Sequence, residues 1–449
     1  MTAAADNESD FHSILQEIGF ENSQNAQARM KRLSEADPKT FSEVLPWLVS
    51  ALKSAADPDR SLVNFERLLD GYGNKLFDQI KENPRLLEIL ITLFSNSSFL
   101  TEILLGTPDA VPLLTQRTLL TEKKTVEQYL SEANNAFQAE TQDLARLDAL
   151  RQYQHRQLLR IGVSDFLDLF DLTTVFSQLS RMAIGIVRSC LALAVEQTGT
   201  SAAGFSVLAM GKLGGRELNY SSDIDLLFIS RQDAENYTRL GKQLIENLSK
   251  TTSKGFLYRV DMRLRPWGHD GALVTSMEGY QRYFKEHALL WEKQAFLKAR
   301  PIAGSLSLGE ELRKSIEPWL YSLPAEEVRA GIHSMKQRTE SFLLEKGRKW
   351  GEVKLGEGSI RDVEFVVQSK QMTHPSIKTR RTLKAIPLLR EARLLSPIEA
   401  RTLSEGYIFL RTLEHYLQIT DYQQTYTLPS DPEALRLLAR RLGFEGAGA

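Results

Sequence analysis

Residues 205–230, FSVLAMGKLGGRELNYSSDIDLLFIS, constrain the fold of this chain more than any other stretch. Phe205 to Met210 is a short apolar run that ends at Gly211. Lys212 and the pair Gly214-Gly215 then supply a tight turn whose backbone can come close to a ligand. Asp223 to Ile229 alternates as a strand does, so Asp223 and Asp225 share one face while Ile224, Leu226 and Phe228 take the other. Such a strand belongs to a sheet whose apolar face packs on helices. On the other face two carboxylates stand roughly 6–7 Å apart, at about 3.3 Å per residue, a spacing that suits one divalent cation or two.

A third acid follows. The alternation in 256–264, FLYRVDMRL, predicts another strand, with Phe256, Tyr258, Val260 and Met262 on one side and Arg259, Asp261 and Arg263 on the other. Pro266, Trp267 and Gly268 end it. An Asp-x-Asp pair alone is common at sheet edges, and a Gly-Gly pair alone is an ordinary turn. Joined as GGRELNYSSDIDLLF and followed by RVDMRLR, they suit nucleotidyl transfer, in which two magnesium ions bound by hard carboxylate oxygens clamp the attacking and leaving oxygens. Lys212, Arg263 and Arg265 are the nearest basic candidates for phosphate oxygens. Ser221 and Ser222 either meet a phosphate or shape the turn before the strand. The chain has no HExxH, GxSxG or P-loop lysine motif, which removes the commonest zinc, serine and P-loop chemistries.

The remainder reads as helix. Apolar spacing predicts helices over 41–55, 61–77 and 83–105, the last broken at Asn96-Ser97-Ser98, and then a long polar helix over 123–160. Arg151, Arg156 and Arg160 on that helix form either a face for an acidic partner or solvated surface, with His155 a surface histidine among them. One amphipathic helix over 171–195 carries Cys190, the single cysteine, which reads as a buried core thiol in a reducing compartment. Asp233 is placed to cap a helix over 235–252, and 276–298 reads as one helix closing with Lys298 and Arg300. From about Pro324 the chain is helical again, except at VKLGEGSIRD, where Gly356 and Gly358 introduce a helix holding Asp362 and Glu364. Glu364 lies on the stripe of Ile360, Val363 and Val367 and points inward, as part of a site or as half of an ion pair. The terminal GFEGAGA reads as the start of a linker, as in a fragment of something longer.

At 449 residues the chain is long for one core and divides by this reading into 1–165, 166–320 and 321–449. A net charge of −1 and the lack of a basic, aromatic-interleaved stretch argue against a nucleic-acid partner. The polar N-terminus lacks the pattern of a secretory signal. The runs near Leu86 and Cys190 read as too short, or as broken by Arg188, to span a bilayer. A cytoplasmic protein without a membrane partner is the expectation.

The strings MGKLGGRELNYSSDIDLLF, GFLYRVDMRLRPWG, LVTS, WEKQAFLKAR and KLGEGSIRDVEF resemble the glutamine synthetase adenylyltransferase family, and the resemblance runs from about Ser61 to Pro429. It implies an α+β chain, mostly helical, with a polymerase-β-type nucleotidyltransferase core, a small mixed sheet with helices, flanked by N- and C-terminal helical bundles. In that family two related halves share one chain. The first removes AMP from a tyrosine of glutamine synthetase by phosphorolysis, yielding ADP, and the second attaches AMP from ATP. The double serine in NYSSDIDL, Met262 and the leading helical segment resemble the first half, so deadenylylation is the implied activity and adenylylation its alternative. A non-catalytic module that binds PII protein or glutamine synthetase is the reading of a different class. By the same resemblance Asp223, Asp225 and Asp261 are catalytic and hold two magnesium ions, while Gly214, Gly215, Ser222, Lys212, Arg263 and Arg265 bind the nucleotide and phosphate of ADP or ATP. The implied partners are glutamine synthetase and PII protein in its uridylylated form.

Overall fold

The structure, a computed structural model, describes residues 15–348 and 350–444. The polar N-terminal residues and the last residues of the expected linker lie outside them. Helices dominate the first part of the chain, and their starts follow from short sequence signals. Asp37 and Asp57 each precede a proline; their carboxylates accept the amides of Thr40 and Arg60, and the prolines take the first positions of Pro38–Lys53 and Pro58–Tyr72, where no amide hydrogen is needed. The helix expected over 61–77 instead stops at Gly73, whose φ of 78° breaks it, and the chain resumes as Lys75–Glu82. Ser97 caps the second of two short buried helices, Arg85–Asn96 and Ser98–Gly106, as the turn signal requires.

The long polar helix is two helices. Thr125 and Gln128 cap Val126–Gln138 reciprocally, and after a polar break the chain forms α1 (Asp143–Phe166). Arg151 and Arg160 face neither solvent nor a partner. Both are buried: Arg151 donates to the Lys250 carbonyl, and Arg160 donates to Tyr129 Oη and to the carbonyls of Leu119 and Glu122. Only Arg156 is exposed, paired with Asp109. His155 is half-buried, and burial holds its pKa below the ordinary value.

The helix expected over 171–195 is α2 (Leu172–Thr198), capped by Asp171 and ended by Gly199 in the left-handed region. Arg188 does not break it. At 27 residues, with a mean hydropathy of 1.3 in its most apolar window, it is long and apolar enough to cross a bilayer, yet 78% of that window is buried within the protein. It is the central core helix, packed on Val126–Gln138, on Thr238–Ser249 and on the sheet. Cys190 is fully buried in it, its thiol pushed up to about 12 by burial.

Five strands form one small mixed sheet: β1 (Phe205–Ala209), β2 (Ile224–Ser230), β3 (Val260–Asp261), β4 (Val274–Ser276) and β5 (Arg300–Gly304). The order is β3-β2-β1-β5, with β4 also on the outer edge of β2. β1 runs antiparallel to β2 and β5, while β3 and β4 run parallel to β2. The strand expected over 256–264 contracts to two residues, and β4 and β5 are elements that periodicity did not mark. The helix expected over 276–298 is split into Met277–Glu286 and Leu290–Phe296, and Asp233 has a φ of 48° and caps nothing.

Both faces of the sheet are covered. Phe205, Val207, Leu226 and Phe228 pack toward α2 and Thr238–Ser249. Leu208, Leu227 and Ile229 pack against Tyr280, Phe284, Leu308 and Leu312. Leu227 and Ile229 share the face of Asp225, so the carboxylate side of β2 opens only at the start of the strand. A third apolar cluster joins Val363, Ile386, Leu389, Tyr407 and Leu413 from α4 (Ile360–Thr373), Thr382–Glu391 and α5 (Pro397–Asp421). α5 reaches back to the N-terminal helices, where Ser97 Oγ donates to the Ile419 carbonyl at 2.6 Å.

Candidate active site

The parallel pairing of β2 with β3 sets Asp225 directly opposite Asp261, and Asp223 lies two residues back along the chain. The three acids predicted from sequence are therefore brought to one end of the sheet. Gly211 closes the space behind them. Its φ is +50°, and a Cβ built there would lie 2.5 Å from Asp225 Oδ2, so any side chain here is strained and displaces that carboxylate. The residues expected to form a turn are a one-turn helix, α3 (Gly211–Gly215), and the amide of Met210 before it donates to the Asp225 carbonyl at 2.9 Å.

Each outer carboxylate is held by an arginine. Arg259 Nε donates to Asp223 at 2.5 Å and its terminal nitrogen to the Ser221 carbonyl at 2.8 Å. Arg263 donates to Asp261 from its guanidinium at 2.6 Å and from its amide at 2.8 Å. Asp225 has no such partner. Burial, with the charges of Asp261 and Asp223 and against Lys354 and Lys212, pushes its carboxyl up to about 6. For Asp261, burial works upward but the hydrogen bonds and charge of Arg263 outweigh it and hold the group below its ordinary value. Among the described residues no three acidic, histidine or cysteine side chains converge as a formed metal cluster. The donor set nevertheless fits a divalent cation: three hard carboxylates, the central one raised by burial and by its two acidic neighbours, an arrangement that a bound cation would relieve.

These acids form one wall of a cleft of about 950 Å³ between the sheet and the C-terminal helices. Lys354, Arg361 and Arg338 also line it; the charge of Lys354 reaches Asp225, and Lys354 sits 4.1 Å from the centroid of the Tyr426 ring. Beneath them a buried charge network fastens α4 and α5 to the sheet. Lys298 bonds Glu217 at 2.9 Å and Glu364 at 2.7 Å. Lys212 bonds Glu414 at 2.5 Å, and Arg411 reaches the Glu217 carbonyl and Asn219 at 2.6 and 2.7 Å. Burial, aided by Arg411 and Lys354 and opposed by Glu414, brings Lys212 down to about 8. Burial alone would lower Lys298 too, but its two carboxylates hold it above the ordinary value. Glu364 thus answers both readings of it, as the partner of a buried lysine and as part of the cleft lining.

Of the other residues expected at the site, Lys212, Ser222 and Arg263 line the cleft. Gly214, Gly215 and Arg265 do not. A Cβ on Gly214 would meet the Lys298 and Ala209 carbonyls at 2.2 and 2.7 Å, and one on Gly215 would meet the Glu217 carboxylate, so these glycines permit close packing beneath the site. Arg265 closes the following loop by donating to the carbonyls of Met262, His269 and Gly271. Ser221 is bonded to the Tyr422 carbonyl at 2.8 Å. Lys354, Arg361, Trp291, Gln294 and Lys298 line the cleft without a role assigned from sequence, although the strings WEKQAFLKAR and KLGEGSIRDVEF contain them. Arg338, on Ala325–Glu345, carried no sequence signal.

A family model described as glutamate-ammonia ligase adenylyltransferase matches residues 87–315, just over half of the chain, and one described as GlnD PII-uridylyltransferase matches residues 326–449. Similar curated proteins are bifunctional glutamine synthetase adenylyltransferase/adenylyl-removing enzymes. That of Hahella chejuensis is 37% identical over 335 residues, 68% of this chain and 34% of the relative. Those of Streptomyces avermitilis and Streptomyces coelicolor are 31% and 32% identical over 99% and 89% of this chain, and 45% and 41% of their own lengths. The chain spans less than half the length of these relatives.

Proposed function

The chain belongs to the glutamate-ammonia ligase adenylyltransferase family, and from that premise we propose that it removes AMP from an adenylylated tyrosine of glutamine synthetase by phosphorolysis. The observation that carries the reading is the register of β2 and β3, which sets Asp225 against Asp261 beside Asp223, in a cleft that Lys354, Arg361 and Arg338 also line. A phosphate oxygen attacks the phosphorus of the tyrosine-linked AMP, the bond from phosphorus to the phenolic oxygen breaks, ADP leaves, and the phenolate takes a proton from solvent. A phenolate with a pKa near ~10 is a fair leaving group, so the site needs no strong general acid.

Lys354, Arg361 and Arg338 draw in inorganic phosphate and orient it toward the AMP phosphorus. Asp223, Asp225 and Asp261 would hold magnesium, which when bound supplies positive charge to the transferring phosphoryl group and the departing oxygen. Lys212 is anchored by Glu414 and directs its charge into the same cleft. Buried contacts beneath it, through Lys298 and Arg411, keep the two walls in fixed register, which favours in-line transfer over adventitious hydrolysis. The direction of transfer rests on the double serine Ser221-Ser222 and on Met262. PII protein in its uridylylated form is the proposed regulator, and the cytoplasm is the proposed location.

The test supplies the chain and magnesium with adenylylated glutamine synthetase and phosphate in one arm, and with unmodified glutamine synthetase and ATP in the other. ADP in the first arm, with or without PII protein, supports the reading. AMP incorporation in the second arm alone assigns the chain to adenylylation instead. Absence of turnover in both, with magnesium-dependent nucleotide binding also absent by calorimetry, makes it a binding module.

A further inference from the structure

A second cleft, of about 200 Å³, shares no lining residue with the first. Four arginines line it: Arg181 and Arg188 from one face of α2, Arg216 from the residue that ends α3, and Arg300 from the start of β5. Burial, then Arg380, Arg216 and Arg381, push Arg300 down to about 9. Burial, Arg181 and Arg381 hold Arg216 below its ordinary value as well. So many like charges in one recess repel one another at appreciable cost, because low local polarity strengthens the repulsion.

The protein neutralises them only in part, Glu310 acting on Arg300 and Glu127 on Arg216 and Arg188. Arg181, Arg188 and Arg300 each donate to a backbone carbonyl, of Lys124, Ile302 and Gly214, at 3.0, 2.7 and 2.8 Å. Those bonds occupy one donor apiece of the five that a guanidinium carries. Arg216 Nε is buried without a hydrogen-bond partner. The one carboxylate in the lining, Glu127, is 75% exposed and lies 3.6 Å from Arg188. Thr125 and Val126 add the start of the helix Val126–Gln138, the end at which a helix favours negative charge.

We propose that this recess is an anion site for a phosphate-sized, doubly charged oxyanion gripped by Arg181, Arg188, Arg216 and Arg300, separate from the catalytic cleft. The forked donors of several arginines match tetrahedral oxyanions well. Arg300 also holds the Gly214 carbonyl, so the site is one side chain away from the turn that carries Lys212 into the cleft. The proposal goes beyond the proposed reaction and does not depend on its direction.

Calorimetric titration of inorganic phosphate into the whole chain, without divalent cations or nucleotide, tests it. The expected result is a binding event weakened by about tenfold or more in R216Q, through the loss of charge-assisted bonds, and likewise in R181Q. The same event persists in K354Q, whose side chain lines the other cleft, and sulfate competes for it. Circular dichroism confirms the fold of each variant, and should R216Q not fold, R181Q decides. No binding at millimolar phosphate, equal binding in both arginine variants, or loss in K354Q alone would each overturn the proposal.

Discussion

Replacing Lys298 with methionine removes the ammonium that joins the loop after α3 to α4. Its side chain is 9% exposed, and those of its partners Glu217 and Glu364 are 8% and 22% exposed. The two bonds, 2.9 and 2.7 Å long, are charge-assisted, and breaking a buried pair by deleting one member costs roughly 3–5 kcal/mol because it strands the other. Protonation of a stranded carboxyl limits the loss without abolishing it. We expect K298M to lose about 3–5 kcal/mol in urea unfolding, followed by far-ultraviolet circular dichroism and tryptophan fluorescence, with coincident transitions required before any free energy is quoted. Adding E364Q to K298M removes one stranded charge and should restore at least about 1 kcal/mol. A loss below about 1 kcal/mol for K298M, or a double variant less stable than the single one, would refute the buried network as the fastening between sheet and C-terminal helices.

Acid sensitivity should follow the same group. Burial works to raise Glu364, but Lys298 outweighs it and brings the carboxyl down to about 2 from an ordinary 4.5. A lowered folded value stabilises above the unfolded one and is lost as pH falls through the folded one, so between pH 4.5 and 2 the wild type should lose on the order of 3 kcal/mol that E364Q does not lose, measured by urea midpoints across that range. G214A places a methyl group 2.2 Å from the Lys298 carbonyl, a backbone atom that cannot step aside, and should lower stability by about 2 kcal/mol or more; a neutral result in thermal melts would contradict the packing described beneath the site. Cys190, fully buried with its thiol pushed up to about 12, should react with a thiol reagent only as the chain unfolds, so that labelling rate tracks urea concentration.

The three aspartates were legible because strand alternation is local: Asp223 and Asp225, two residues apart, share one face, and the alternation of FLYRVDMRL puts Asp261 on the polar side of a neighbouring strand. What alternation hid is that Leu227 and Ile229, on the face of Asp225, are also buried, because helices 277–286 and 306–320 cover a side of the sheet that a single strand reads as open. β4 and β5 escaped notice because strands of three and five residues are too short to establish a period. Arg151 and Arg160 read as surface because charge on a helix usually is, whereas here backbone carbonyls at the ends of neighbouring elements accept their donors. Gly214-Gly215 was visible as a special backbone, but only the fold reveals that Gly211 meets Asp225 while the pair meets the Lys298 backbone and the Glu217 side chain. Arg338 reaches the cleft because its helix packs on Ile360–Thr373 and Leu290–Phe296, tertiary contacts that no local pattern announces.

The central claim is that the Asp223, Asp225 and Asp261 end of the sheet carries phosphorolytic AMP transfer. Its most direct test is radiolabelled inorganic phosphate supplied with adenylylated glutamine synthetase, magnesium and the chain, with the label followed into nucleotide. The account predicts labelled ADP in proportion to unmodified tyrosine formed, and its loss in D225N with circular dichroism unchanged. Release of unlabelled AMP, or labelled ADP undiminished in D225N, would contradict it.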